Sequence, residues 1–198
     1  GESREEALDK KNAVITDVFD KSLIGQTYPS RACRYVFVAD KDVSVSLDYE
    51  YLPLKKRGQF KTTDKKLNKI LDVCAYTLHL NTRECFLDGI KRDRWVWGGD
   101  AYQSFFVNYY LFNDFDSVRR TVISLLGGEP FSQFTNTIPD YTFLIIKGVY
   151  EYYLHSGDRD FLEFVYDKFE SIFRLVDKRL DSRGFFVGGR GDWIFVDW

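Results

Sequence analysis

Apolar and polar residues alternate with period two in the first part of the chain and recur at helical spacing in the rest. Up to about residue 60 the apolar runs are short: Ala13-Val14-Ile15, Arg34-Tyr35-Val36-Phe37-Val38 and Val43-Ser44-Val45-Ser46-Leu47. In the last of these apolar and small polar residues alternate with period two, and all three look like sheet strands. They are too few to close a sandwich, so the pattern predicts partner strands upstream of Gly1. From Thr62 the period changes. Leu67, Ile70, Leu71, Cys74, Ala75 and Leu78 recur at helical spacing behind Thr62-Thr63-Asp64, a helix-start signal. Four more helices are predicted: Ala101 to Phe112, Ser117 to Leu126 closed by Gly127-Gly128, Tyr141 to His155 closed by Gly157, and Asp160 to Leu180 closed by Gly184.

Aromatic residues such as Phe105, Phe106, Tyr109, Tyr110, Tyr150 and Tyr152 fall on more than one face of their helices, as expected where each helix has neighbours on two sides. A ring of helix pairs fits this better than a simple bundle. With 198 residues, 44% of them hydrophobic, the chain can bury a real core. Thirty acidic against twenty-eight basic residues give a net charge of -2, which offers no electrostatic reason for nucleic acid or an anionic membrane as partner. No apolar run approaches the ~20 residues of a bilayer span. Three cysteines, Cys33, Cys74 and Cys85, have no metal-binding spacing. A chain that begins without Met and contains none is expected to be a piece of a longer one.

The segment from Asp88 to Asp100, Asp-Gly-Ile-Lys-Arg-Asp-Arg-Trp-Val-Trp-Gly-Gly-Asp, concentrates carboxylates, cations, indoles and glycines between two predicted helices. Cleavage of a glycosidic bond needs an acid for the leaving oxygen, a second carboxylate, groups that bind sugar hydroxyls, and a flat apolar surface for the ring. The segment supplies these types: Asp88, Asp93 and Asp100, the arginines Arg92 and Arg94, and Trp95 and Trp97. A structural reading stands beside this one, in which the arginines pair with the acids to hold the loop and the tryptophans anchor the core.

The segment resembles the signature of bacterial α-L-rhamnosidases, in which Asp and three residues precede Arg-Asp-Glu-Arg, any residue, Gly-Trp, any residue and Gly-Asp. Counted back from Asp100 the match holds at Gly99, Trp97 and Arg94, and Asp93 falls where the family has its general-acid Glu. Counted forward from Asp88 it holds to Arg92 and Asp93, and the Glu is missing; the segment is one residue shorter than the pattern. Gly1 to Ala7 and Arg31 to Tyr35 are similar to the sandwich segment before the catalytic domain of these enzymes. Asp140-Tyr141-Thr142-Phe143 and Tyr153 to Asp158 are similar to its helix hairpins. Gly191-Asp192-Trp193 is similar to a later loop whose Trp lines the sugar subsite.

The resemblance implies a mainly α fold, part of an (α/α)6 toroid of the six-hairpin type over residues 61–198, preceded over 1–60 by the terminal part of a β-sandwich. It also implies an inverting hydrolase of terminal α-L-rhamnosyl residues, with a carbohydrate substrate and no cofactor because water is the nucleophile, and it favours a periplasmic or extracellular bacterial setting over a cytoplasmic one. Asp93 is then the general acid, Asp88, Arg92, Asp100 and Asp192 bind hydroxyls, Trp97 and Trp193 wall the ring, and the base is a Glu beyond Trp198. Alternatively the acid is absent and Asp88, Arg92 and Asp100 only bind sugar. A general acid must hold its proton near neutral pH, so the surroundings of Asp93 must outweigh its flanking arginines. Two rivals remain: a six-hairpin glycosidase for another sugar, and a degenerate sugar-binding or structural relative.

Elsewhere the expectations are structural. His79 and His155 read as helix-end packing residues, Lys55-Lys56-Arg57 as a solvated run, Cys74 as core, and Asp158 and Asp160 as helix-start acids. Glu84, near the loop, reads as a surface or arginine-paired group.

Overall fold

A computed structural model describes residues 5, 8, 30–38, 42, 45–91, 93–128 and 131–194. The chain divides into two compact units, Gly1–Glu50 with Ile90–Asp93, and Tyr51–Gly89 with Arg94–Trp198.

In the first unit the expected strand 34–38 is not a strand, nor are residues 45–47 of the second expectation; residues 13–15, 43 and 44 lie outside the described residues. Val36, Phe37 and Val38 are exposed. Alternation creates a face suited to a sheet, but a strand exists only as one side of a pair, and no β-strand occurs among the described residues.

The second unit has five α-helices among its described residues, in the order the spacing predicts: α1 (Lys65–Asn81), α2 (Gly98–Leu111), α3 (Phe115–Leu126), α4 (Pro139–Ser156) and α5 (Arg159–Asp177). The caps explain where they start. Asp64 accepts from the amides of Lys66 and Leu67 at 2.7 and 3.2 Å, Asp114 from Ser117 at 3.2 Å and Asp158 from Phe161 at 3.0 Å. Each such cap is worth ~1 kcal/mol. Gly157 ends α4 in the left-handed region, at φ 67°.

Gly184 does not stop a helix. Helix α5 ends at Asp177, and Gly184, at φ 80°, sits in a tight turn between Leu180 and Phe186. The Asp181 carboxylate accepts from the amides of Arg183 and Phe185 there and offers the backbone an alternative to helix.

Helices α2 and α4 form the central pair, with α1 on α2, α3 on both and α5 on α4. Ala101, Phe105, Val118, Val122, Ile145, Val149, Val165 and Ile172 are at most 1% exposed. Gly148 permits the close approach: a Cβ there would lie 3.0 Å from the Phe105 ring. The outer helix α1 departs from expectation. Only Ala75 and Leu78, in its C-terminal half, are buried, whereas Leu67, Ile70 and Cys74 are exposed. Cys74 is therefore not a core residue, because nothing among the described residues covers that part of the stripe.

The central helices run parallel. At their C-terminal ends Tyr109 of α2 stacks on His155 of α4 with ring centroids 4.2 Å apart, and at their N-terminal ends Gly98 lies against Tyr141. The short turns 112–114 and 157–158 thus share one end, and the long connections 82–97, 127–138 and 178–194 share the other.

Candidate active site

The long-connection end holds most of the residues that the sequence singles out. The connection 82–97 is pinned at three places. Phe86, 1% exposed, inserts into the core edge-on to Phe105, and its amide donates to the Thr121 hydroxyl at 3.0 Å. The Asp88 amide donates to the Trp95 carbonyl and the Trp95 amide donates to Asp88 Oδ1, both at 3.0 Å. Asn136 accepts from the Gly98 amide at 2.9 Å and donates to the Val96 carbonyl at 3.1 Å.

These ties set the tryptophans. The Trp97 ring meets Trp193 at 6.1 Å and Tyr141 at 6.4 Å, both edge-on, and the Trp193 amide donates to the Thr137 carbonyl at 2.9 Å. Gly98 and Gly99 let this corner close, since a Cβ would meet Tyr141 at 2.9 Å from Gly98 and 2.6 Å from Gly99. Arg94, Asn136 and Thr137 have φ of 49°, 53° and 64°. For a β-branched residue such as Thr137 this is a true outlier that surrounding contacts must enforce, at a cost of ~1–3 kcal/mol.

The third connection is held by Arg179. Its guanidinium donates to Asp192 Oδ2 and to the Val187 carbonyl, and lies over the rings of Phe134 and Phe186 at 5.7 and 5.5 Å. The Gly189 amide donates to the same Asp192 oxygen at 2.7 Å. These donors, the Gly189 amide foremost, hold the Asp192 carboxyl below the usual carboxylate range against the opposing effect of burial.

A cleft of about 640 Å³ opens beside the Trp97 corner, walled by Arg94, Trp95 and Val96 on one side and by residues 124–128 and 131–136 on the other.

Of the expected site residues, the structure brings Trp97 and Trp193 into contact and fixes Asp192 next to Trp193 in sequence. Asp100 stands in the first turn of α2, where the helix dipole favours an acid. Asp88 is half-buried and engaged with Trp95. Asp93 is exposed and groups with the first unit, and Arg92 lies outside the described residues. Asn136 and Arg179 are not singled out by the sequence, and Tyr141 only as part of a helix hairpin, yet they build the corner. The signal open to inspection was slight: an Asn-Thr pair before a helix-starting Pro.

The remaining expectations concern packing. His79 Nε2 lies 2.7 Å from the Leu52 carbonyl, and both histidines pack against aromatic rings. The Glu84 carbonyl accepts from Arg120 at 2.6 Å. Burial pushes the Cys85 thiol above its ordinary pKa, which disfavours the reactive thiolate. Among the described residues no group of three metal-ligating side chains occurs, and no helix is long and apolar enough to cross a membrane.

Parallel inner helices with outer helices packed on them make up a domain of helical hairpins. The chain belongs to the family of bacterial α-L-rhamnosidase six-hairpin glycosidase domains, whose model matches residues 55–198. It is similar to a GH78 family rhamnosidase of Bacillus sp. GL1, with a TM-score of 0.64 and 25% identity over 75% of this chain and 16% of that one. It is also similar to a rhamnosidase from Klebsiella oxytoca with rhamnose bound, with a TM-score of 0.59 and 26% identity over 69% of this chain and 29% of that one. The chain thus spans less than a third of the length of either protein. No curated protein matches it.

Proposed function

We propose that the polypeptide containing this chain hydrolyses terminal α-L-rhamnosyl residues with inversion, and that this chain supplies one side of the sugar site. The observation that carries the reading is the Trp97–Trp193 corner, built from two connections far apart in sequence within the family-matched region. An apolar corner beside acids and backbone amides suits a deoxysugar, which has a methyl group and three free hydroxyls.

In this reading Asp93, by its place in the motif, protonates the glycosidic oxygen. Asp88, Arg92 and Asp100 bind hydroxyls, and Trp97 and Trp193 wall the ring. Asp192 holds the loop that carries Trp193 and retains Oδ1 for a hydroxyl. A Glu elsewhere in the polypeptide activates water, and an inverting pair of carboxyls stands ~6.5–9.5 Å apart to admit it.

Residues 1–60 would close a β-sandwich and 61–198 open an (α/α)6 toroid. The toroid is supported by large apolar side chains left exposed on the helices, including Ile70, Tyr110, Phe164 and Phe173, which further helices would cover.

A panel of aryl glycosides tested on the full-length polypeptide checks the substrate. Cleavage of the α-L-rhamnoside is expected, and cleavage of another glycoside with none of the rhamnoside would overturn the assignment. The degenerate, sugar-binding alternative draws on the exposure of Asp93, and it predicts rhamnose binding without turnover.

A further inference from the structure

We infer that the cleft between Trp95 and Phe131 receives the leaving-group side of the substrate, as a neutral hydroxylated ring such as the penultimate sugar; the inference rests on the glycosidase reading above. Three observations carry it.

The first is continuity with the sugar corner. Trp95 and Trp97 are two residues apart, so their Cα atoms are at most ~7 Å from each other. Trp97 meets Trp193, and Trp95 lines the cleft. Consecutive rings of one ligand can therefore lie along one short segment. Asn136, which ties Val96 and Gly98, also lines the cleft and fixes both positions together.

The second is the state of Trp95. Its amide and carbonyl are both committed to Asp88, yet its side chain is exposed, with 62% of the residue's surface accessible. A flat apolar ring held by its backbone and left uncovered is an ordered stacking platform, which costs little entropy when a ligand arrives.

The third is the chemistry of the lining. Trp95 and Phe131 supply apolar surface, Ser124, Ser132 and Gln133 supply neutral polar groups, and Arg94 is the one charged side chain among the described lining residues. Thr135 and Asn136 already spend their side-chain hydrogen bonds on the protein. The lining has no carboxylate for a cationic leaving group, and its one cation, Arg94, is already engaged with another group, so it suits a ring with an apolar face and hydroxyl edges. A volume of about 640 Å³ falls within the ~300–1,000 Å³ of small-ligand sites.

The test compares two substrates of the full-length polypeptide that share the rhamnosyl group, a rhamnosyl-glucose disaccharide and methyl α-L-rhamnoside. In Trp95→Ala the ratio of kcat/KM for the disaccharide to that for the methyl glycoside should fall about tenfold, the loss of one stacking platform. Trp95→Phe should restore most of it, and Gln133→Ala should move the ratio in the same direction by a smaller factor. An unchanged ratio in Trp95→Ala, with both substrates cleaved, would overturn the subsite and leave the rhamnosidase reading intact. Wild-type protein that cleaves neither rhamnoside would overturn that reading and the subsite with it.

Discussion

At one end of the hairpins the chain turns within 112–114 and 157–158, whereas at the other it runs through 82–97, 127–138 and 178–194. The turns of the short end are held by local contacts. Asp114 and Asp158 cap the helices that follow, Gly157 takes the left-handed conformation its turn requires, and the Tyr152 hydroxyl donates to Asp158 at 2.7 Å. The long end is built from distant ones. Asn136 reaches across 38 residues to Gly98, and Trp193 binds the Thr137 carbonyl. Three of the four non-glycine residues with positive φ among the described residues, Arg94, Asn136 and Thr137, lie there, and the fourth, Asn113, lies in the short turn 112–114. The contrast separates two tasks: short turns fix the helices, and long connections use distant contacts to hold Trp97, Asp192 and Trp193 in place.

The sharpest way to break this contrast is a substitution at each end. Trp97→Ala removes the ring that meets both Trp193 and Tyr141, and in the full-length polypeptide kcat/KM for a rhamnoside should drop about 100-fold, read by steady-state kinetics. A drop below threefold would mean that the corner is only packing. Asp158→Ala, at the short end, should cost about 2 kcal/mol in denaturant unfolding, one cap plus one hydrogen bond to a charged group, with the activity of the folded protein kept.

The Asp158 prediction carries a pH signature. The Tyr152 hydroxyl first, then the Phe161 amide and Arg119, hold the Asp158 carboxyl below its ordinary range. A lowered carboxyl pKa stabilises the fold fully above the unfolded value, ~4, and the contribution fades as pH falls through the folded value. The gap between wild type and Asp158→Ala should therefore be constant from pH 6 to 8 and narrow below about pH 4. A gap that widens on acidification would contradict the assignment. The smallest effect belongs to the surface: Glu170→Gln, which removes an exposed pair with Arg174 at 3.5 Å, should change stability by less than about 0.5 kcal/mol and activity not at all.

Five helices, and their ends at Asp64, Gly127, Gly157 and Asp158, were legible because spacing, Asp caps and closing glycines are local signals. Gly184 misled because a glycine after a helical run marks a tight turn as readily as a helix end, and Asp181 made the turn the better choice. Cys74 misled because apolar spacing shows which side a helix would bury and leaves open how much of that side is covered. At the long-connection end, Trp97 and Trp193 stand out in the sequence through family resemblance, and the structure adds their contact. The roles of Asn136, Tyr141 and Arg179 do not, since they rest on partners such as Gly98 and Asp192 that periodicity does not connect. The first unit shows the same limit, because the short apolar run at 34–38 forms a strand only if a neighbour pairs with it.

The proposed function rests most on the role of Asp93 as general acid. Its most direct test is the turnover of methyl α-L-rhamnoside, whose leaving group needs a proton, by full-length wild type and Asp93→Asn. Loss of a general acid predicts a fall in kcat of ~10²–10⁴-fold, and an undiminished rate would contradict the account.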